Sequence, residues 1–158
     1  MKYRYLLTPV LACCCTLFAC KKSEGTLTPV IRSSFSFSAR DTSISFPVDL
    51  AFIQDVSNTQ TTLISGQYAD TSSKTGSISL RVIGDTTGRY RGDSLLVNYV
   101  DASGRSFHNT RDSSNFAQID KFPKKSGSLV SGSFDCHVVN GTDSIRLSGG
   151  SFSAAFQD

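Results

Sequence analysis

The sequence predicts an all-β, antiparallel fold, and three observations carry the prediction. Short runs alternate apolar and polar residues with a period of two, as half-buried strands do. Clusters of Gly, Asp, Asn and Ser interrupt these runs about every ten residues. Residues 26–158 contain no Glu or Met and are rich in Ser, Thr and Gly, so good helix formers are scarce. We expect a β-sandwich, with an open or closed β-barrel as the alternative arrangement.

The first nineteen residues predict a secretory signal peptide. Lys2 and Arg4 give a basic start, and an uncharged, mostly apolar run then extends from Leu6 to Ala19. This run of about 14 residues is shorter than the roughly 17–20 residues that span a bilayer as a helix. We therefore expect a cleaved leader and no transmembrane anchor.

The end of this run, Leu17-Phe18-Ala19-Cys20, resembles the lipobox of bacterial lipoproteins. The resemblance implies that residues 1–19 are removed and that Cys20 is linked to diacylglycerol and acylated. Two or more acyl chains hold a protein stably on a membrane. The consecutive cysteines at 13, 14 and 15 lack the spaced pairing of zinc ligands and would leave with the leader. Cys136 alone would remain, so no internal disulfide is expected.

The rest of the chain divides into a lipid-anchored tether, residues 20–32, and a single domain, residues 33–158. A domain of this size buries enough surface to fold without crosslinks. The whole chain has 16 Lys and Arg and 13 Asp and Glu residues, but four of the bases and one of the acids precede Thr26. The body is therefore neutral and lacks the basic surface that nucleic-acid binding requires.

The strands are expected in order from Ser33. In SSFSFSA, Phe35 and Phe37 alternate with serines, and the next strand, after a turn at residues 40–42, meets Pro47, which marks it as an edge strand or a bend. The Asn140-Gly141 pair is the clearest hairpin signal. Further strands are expected at TTLISGQY, SISLRVI, SLLVNYV, RSFHN, FAQIDKF, SLVSGSFDCHVV, SIRLS and SFSAAF.

Several of these segments resemble the C-terminal half of small Bacteroidetes lipoproteins of unknown function. IDKF at 119–122, VSGSF at 130–134 and IRLSGGSF at 145–152 are similar to that family's last strands. GSISLRVIG followed by GRY is similar to its central strand and Gly-x-Tyr. The resemblance implies an envelope β-domain and implies no activity.

The candidate catalytic and metal-binding residues favour structural roles. Cys136 and His137 are neighbours on a predicted strand, so their side chains point to opposite faces, and Cys136 falls in phase with the core. His108 is the only other histidine, and two histidines without Glu do not make an ordinary zinc site. No Gly-x-Ser-x-Gly elbow occurs. We predict no cofactor, no metal and no enzymatic activity; an Asp-based hydrolase would need two carboxyl groups converging across a cleft.

Candidate ligand-binding residues are Arg89, Tyr90 and Arg91, together with Tyr99. Residues 91–93 also read Arg-Gly-Asp, the integrin tripeptide, which arises by chance in many chains. A glycan site would need exposed aromatic side chains, for which Tyr68, Tyr90, Tyr99 and Phe107 are the candidates. Thr86, Ser94 and Ser144 each follow Asp and resemble the acceptors of Bacteroidetes periplasmic O-glycosylation.

These observations predict an outer-membrane lipoprotein of the cell envelope, with membrane lipid as a partner through Cys20. Lys21-Lys22 takes the place of an acidic export signal, which favours the periplasmic face. The first functional hypothesis is a non-catalytic binding module for a glycan or an envelope protein. The alternative is a structural or assembly lipoprotein that pairs through a sheet edge.

Overall fold

The computed structural model describes residues 33–47, 50–56, 59–69 and 75–157. The predicted signal peptide, Cys20 and the tether lie outside these residues. Within them, no helix combines the length and apolar character that crossing a membrane requires.

The described residues form eleven strands and one short 3₁₀ turn, Gly92–Ser94. The predicted all-β, antiparallel class is confirmed. The strands are β1 (Ser34–Ala39), β2 (Thr42–Phe46), β3 (Leu50–Val56), β4 (Thr59–Ala69), β5 (Thr75–Ile83), β6 (Gly88–Tyr90), β7 (Leu95–Val100), β8 (Ser106–Asn109), β9 (Phe116–Lys121), β10 (Leu129–Asn140) and β11 (Asp143–Gln157).

The strands make one curled sheet in the order β2-β1-β11-β3-β4-β5-β7-β8-β10-β9-β6. β10 and β11 also pair with each other as a long hairpin, which brings distant parts of this order together. Pairings between named strands are antiparallel except that of β11 with β3, which is parallel and spans two residue pairs. The result is a half-barrel, the open-barrel arrangement that the sequence left as the alternative.

The core lies on the concave side of this sheet, where the alternating apolar residues are buried. Phe35 is central: its ring packs at centroid distances of 5.5–6.0 Å from those of Phe46, Phe134 and Phe152. Cys136 is fully buried in the same core. Burial raises the pKa of its thiol to about 12, and its position in the core is the one that its phase with Phe134 and Val138 predicts.

The C-terminal segment differs from the sequence prediction in one respect. SIRLS and SFSAAF were expected as separate strands, but they form the single strand β11. Between two successive residue pairs with β10, β11 advances from Leu147 to Gly150 while β10 retreats only from Cys136 to Phe134. Gly149, at φ 61°, absorbs the extra residue as a β-bulge. The bulge reverses the phase of burial along the strand, which explains why the sequence suggests two strands.

Candidate functional site

A cleft of about 690 Å³ opens beside β2. One wall is β2 itself, from Thr42 to Ser45, and the opposite wall includes the turn between β7 and β8. Two tyrosines from neighbouring parts of the barrel contribute to its lining. The full lining is Ala39, Arg40, Thr42, Ser43, Ile44, Ser45, Tyr68, Tyr99, Asp101, Ala102, Ser103, Arg105 and Ile145.

The wall formed by β2 is an unpaired strand edge. Among the strands of the described residues, β2 stands first in the order and pairs with β1 alone. Ala39 and Thr42 flank a two-residue hairpin turn, so they form a hydrogen-bonded pair, and such pairs alternate along the hairpin. The backbone N–H and C=O groups of Ser43 and Ser45 therefore point away from β1.

Within the part of the chain that the structure describes, this edge lacks the features that usually protect edge strands. Thr42–Phe46 contains no charged residue and no proline, and Pro47 follows only after the strand has ended. Pro47 predicts an edge strand or a bend, and the strand order places β2 at an edge of the sheet. Four residues of this uncharged strand, Thr42 to Ser45, thus line the cleft.

Aromatic side chains lie beside the cleft near the end of β2. The rings of Phe46 and Tyr68 pack with centroids 5.2 Å apart. The hydroxyl groups of Tyr68 and Tyr99 lie 3.0 Å apart and share a hydrogen bond. Burial raises the pKa of Tyr99, although the bond to Tyr68 opposes that shift. The phenol of Tyr99 is therefore a neutral donor and acceptor at physiological pH.

The opposite end of the cleft carries a chain of four charges from three turns. Arg40, in the β1–β2 turn, donates from Nη2 to Oδ2 of Asp143 at 2.6 Å. Arg105 donates from Nη1 to the same oxygen at 2.9 Å. Arg105 also donates from Nε at 3.0 Å and from Nη2 at 2.9 Å to Oδ2 of Asp101. These four residues, called the rim here, sum to zero charge.

Hydrogen bonds and neighbouring charges keep the two carboxylates of the rim ionised. Burial raises the pKa of Asp101, but hydrogen bonds from Ser103 and Arg105 outweigh burial and lower that pKa to about 2. Burial likewise opposes the shift at Asp143, where the hydrogen bond and charge of Arg40 lower the pKa. Both carboxylates are ionised at neutral pH. A general acid needs a carboxyl group with a raised pKa, and neither of these acids has one.

The β1–β2 turn is strained. Arg40 has φ 47° and Asp41 has φ 61°. A two-residue hairpin turn with both central residues at positive φ is normally built from Asn-Gly or Gly-Gly. Left-handed backbone costs about 1–2 kcal/mol for each ordinary residue. Sequence reasoning placed a turn here but missed its conformation; the two-residue gap between alternating runs was the available signal.

The four predicted ligand-binding residues lie in two separate places. Tyr99 lies in the cleft on β7, which pairs with β5 and β8, whereas the other three belong to β6 and the residue after it. The guanidinium of Arg89 sits 3.7 Å from the centroid of the Phe116 ring. Tyr90 donates its hydroxyl to the carbonyl of Thr86 at 2.8 Å. Arg91 is exposed and precedes the 3₁₀ turn.

The aromatic candidates for glycan binding are only partly accessible. Tyr99 is 3% exposed and Phe107 is 0% exposed, whereas Tyr68 and Tyr90 are half-buried. Within the described residues no ring forms a flat exposed platform of the size that sugar stacking uses, because the two half-buried tyrosines also pack against the core.

The remaining predicted residues take the following positions. Thr86 and Ser144 are exposed, and Ser94 is half-buried in the 3₁₀ turn. His137 is exposed while its neighbour Cys136 is buried, so the two do face opposite sides of β10. Across the described part of the chain, no three His, Cys, Asp or Glu residues are grouped closely enough to hold a metal ion.

No protein-family model, curated protein or solved structure matches this chain. Its function must therefore be inferred from the chemistry of the cleft.

Proposed function

We propose that this protein is a lipid-anchored envelope protein whose β-domain binds an extended polypeptide segment by strand addition to β2. The observation that carries the proposal is the uncharged edge of β2, unpaired among the described strands, along the wall of the cleft. In strand addition, main-chain hydrogen bonds supply affinity and the side-chain pockets beside the new strand supply selectivity. The cleft offers both in one site.

The outward N–H and C=O groups of Ser43 and Ser45 determine the class of ligand. They repeat at the spacing of a β-ladder, and only another extended backbone matches that spacing over two residue pairs. A glycan is the weaker candidate, because Tyr99 and Phe107 are buried. The rim adds polar groups at one end, and the tyrosine pair adds an apolar wall at the other.

The test compares proline with alanine on the same two residues. Ser43→Pro with Ser45→Pro removes both outward N–H donors and leaves the hydrogen bonds to β1 in place, since proline is tolerated where the donor faces solvent. Ser43→Ala with Ser45→Ala removes the hydroxyl groups and keeps the donors. A random pentapeptide library is selected on the full chain and on both variants, with circular dichroism to verify folding.

Strand addition predicts that the alanine variant retains the enriched peptides and that the proline variant binds them about tenfold or more weakly. Equal enrichment on all three proteins, or loss of binding in the alanine variant alone, would exclude recognition through the backbone of β2.

The membrane anchor is tested separately. Cys20→Ala should abolish fatty-acid labelling and release the protein from the membrane fraction, since Cys20 is the proposed acyl-bearing residue. Cys15→Ala is the matched control and should change neither. If Cys20→Ala retained the fatty-acid label, the proposed membrane anchor would be wrong, and the proposal of strand addition at the cleft would be unaffected.

A further inference from the structure

We infer that the bound segment runs antiparallel to β2 and ends in a free carboxylate that the guanidinium of Arg40 receives. This inference rests on the proposed strand addition and names the end of the polypeptide that the cleft selects. It predicts a carboxyl-terminal peptide as the ligand, in preference to an internal loop.

The direction follows from the position of the rim along β2. Arg40 and Arg105 line the cleft beside Thr42, where β2 begins, whereas Phe46, the last residue of β2, packs on Tyr68. A strand that runs antiparallel to β2 has its carboxyl terminus beside Thr42. That terminus therefore reaches the β1–β2 turn, which carries Arg40.

Arg40 has more hydrogen-bond donors left than Arg105. A guanidinium carries five N–H donors. Among the described residues Arg40 uses Nη2 on Asp143, and its side chain is 50% exposed. Arg105 uses all three of its nitrogens on Asp101, Asp143 and Ser103. Arg105 holds the rim together, which leaves Arg40 to bind a ligand.

The rim already accommodates a carboxylate. Oδ2 of Asp143 receives both Arg40 and Arg105, at 2.6 and 2.9 Å. A ligand carboxylate would join or replace Asp143 at Arg40 with the same charge-assisted chemistry. Asp101 is occupied by Arg105 and Ser103. Asp41 is the exposed acid next to Arg40, and it weakens the attraction for an incoming anion.

The backbone of Arg40 supports a functional role. Its φ of 47° is a conformation that costs an arginine more than a glycine or an asparagine. Strained residues of this kind cluster at binding sites, where the surrounding structure holds them in place. The turn places the guanidinium of Arg40 at the end of the cleft, and the strained backbone lowers the stability of the turn.

The test uses peptides enriched by the full chain in the pentapeptide selection, each synthesised as a free acid and as a carboxyl-terminal amide. Binding is measured by calorimetry on the unmodified protein, Arg40→Gln, Arg40→Lys, Asp143→Asn and Arg111→Gln. Arg111 is the matched control, because it is an exposed arginine whose ion pair with Asp93 belongs to the other edge of the sheet.

The free acid should bind about fivefold more tightly than the amide, the scale of one charge-assisted contact at a half-exposed site. This ratio should fall to about one in Arg40→Gln, recover in part in Arg40→Lys, rise in Asp143→Asn and stay unchanged in Arg111→Gln. Equal binding of acid and amide to the unmodified protein overturns the carboxylate inference and leaves strand addition standing. If the selection enriches no peptide whose binding the proline variant loses, strand addition fails and this inference fails with it.

Discussion

The two edge strands of the sheet, β6 and β2, differ in length and in how far other side chains cover them. At β6 the edge is three residues long, Arg89 covers the Phe116 ring, and the hydroxyl of Tyr90 is fixed to Thr86. At β2 the edge is five residues long, uncharged, and open to a cleft. At each edge an aromatic side chain of the edge strand packs over a glycine: Phe46 of β2 over Gly66, and Tyr90 of β6 over Gly84.

This difference indicates where the molecule is prepared for a partner. Natural proteins shorten, charge or cover edge strands because an exposed edge recruits other chains. The residues around β6 follow this practice, and the residues of β2 do not. An unprotected edge beside a cleft is therefore the feature that most needs a functional explanation.

The largest expected effect comes from the glycine beneath β2. A Cβ on Gly66 would lie 2.7 Å from Cε2 of Phe46 and 3.2 Å from Cδ2 of Phe35, and both rings are buried. Gly66→Ala should therefore overpack the core, lower the free energy of unfolding by about 2–3 kcal/mol and displace β2. Urea denaturation measures the stability, and peptide binding measures the loss of the edge.

The matched change at the other edge is Gly84→Ala. Here the Cβ would meet Cε1 of Tyr90 at 2.7 Å, but Tyr90 is half-buried and can swing outward. The φ of 143° still makes alanine unfavourable, by about 1–3 kcal/mol. Peptide binding should survive. Loss of binding in Gly84→Ala with retention in Gly66→Ala would assign the partner to β6.

The ion pair near β2 should contribute more to the free energy of unfolding than the ion pair near β6. Asp101 is 14% exposed and its pKa is lowered to about 2, whereas Asp93 is 79% exposed in its pair with Arg111. Asp101→Asn should lower the free energy of unfolding by about 1–2 kcal/mol at pH 7, and Asp93→Asn should change it by less than about 0.5 kcal/mol.

The pH dependence has a definite sign. Because the folded pKa of Asp101 lies below its ordinary value of 3.8, its contribution is complete above pH 3.8 and is lost as the pH falls toward 2. Acid titration of the unmodified protein should therefore show a loss of stability in that window that is reduced in Asp101→Asn. An identical acid limb in both proteins would contradict a paired, ionised Asp101.

The strands were predictable from sequence because their signal is local. Phe35 and Phe37 alternate with serines and are buried, and Pro47 marks an edge strand. The bulge at Gly149 was not predictable, because its register depends on partners in β1 and β10 that no local pattern encodes. A curled sheet and a stacked pair of sheets share the same alternation, which left the arrangement open.

The candidate site was less accessible to sequence reasoning. The rim joins four residues from three turns up to about a hundred residues apart, namely Arg40, Asp101, Arg105 and Asp143. The pairings of β11 with β1 and of β10 with β8 and β11 bring these turns together. Tyr99 was selected as an aromatic residue and does line the cleft. Its grouping with Arg89 came from nearness in sequence, which the curvature of the sheet does not preserve.

Relaxing the strained turn should separate stability from binding. Arg40→Asn with Asp41→Gly places the preferred pair at two positive-φ positions. The stability gained by removing the backbone strain should exceed the stability lost with the half-exposed ion pair to Asp143. We therefore expect the free energy of unfolding to rise by about 1 kcal/mol and Tm to rise by a few degrees. Peptide acids should lose their advantage over amides. A lower Tm would show that Arg40 is retained for stability.

A small expected effect at β6 decides between the two edges most directly. Arg89→Ala removes a cation–π contact on Phe116 and should cost about 0.5–1 kcal/mol of stability, measured by urea denaturation. Because β6 pairs with β9 and does not line the cleft, the affinity for the selected peptides should stay unchanged. Arg91→Ala, an exposed arginine two residues away, controls for the loss of positive charge. If both variants weakened peptide binding while the proline variant of β2 did not, the basic and aromatic residues of β6 would be the binding surface, and the open edge of β2 would need another explanation.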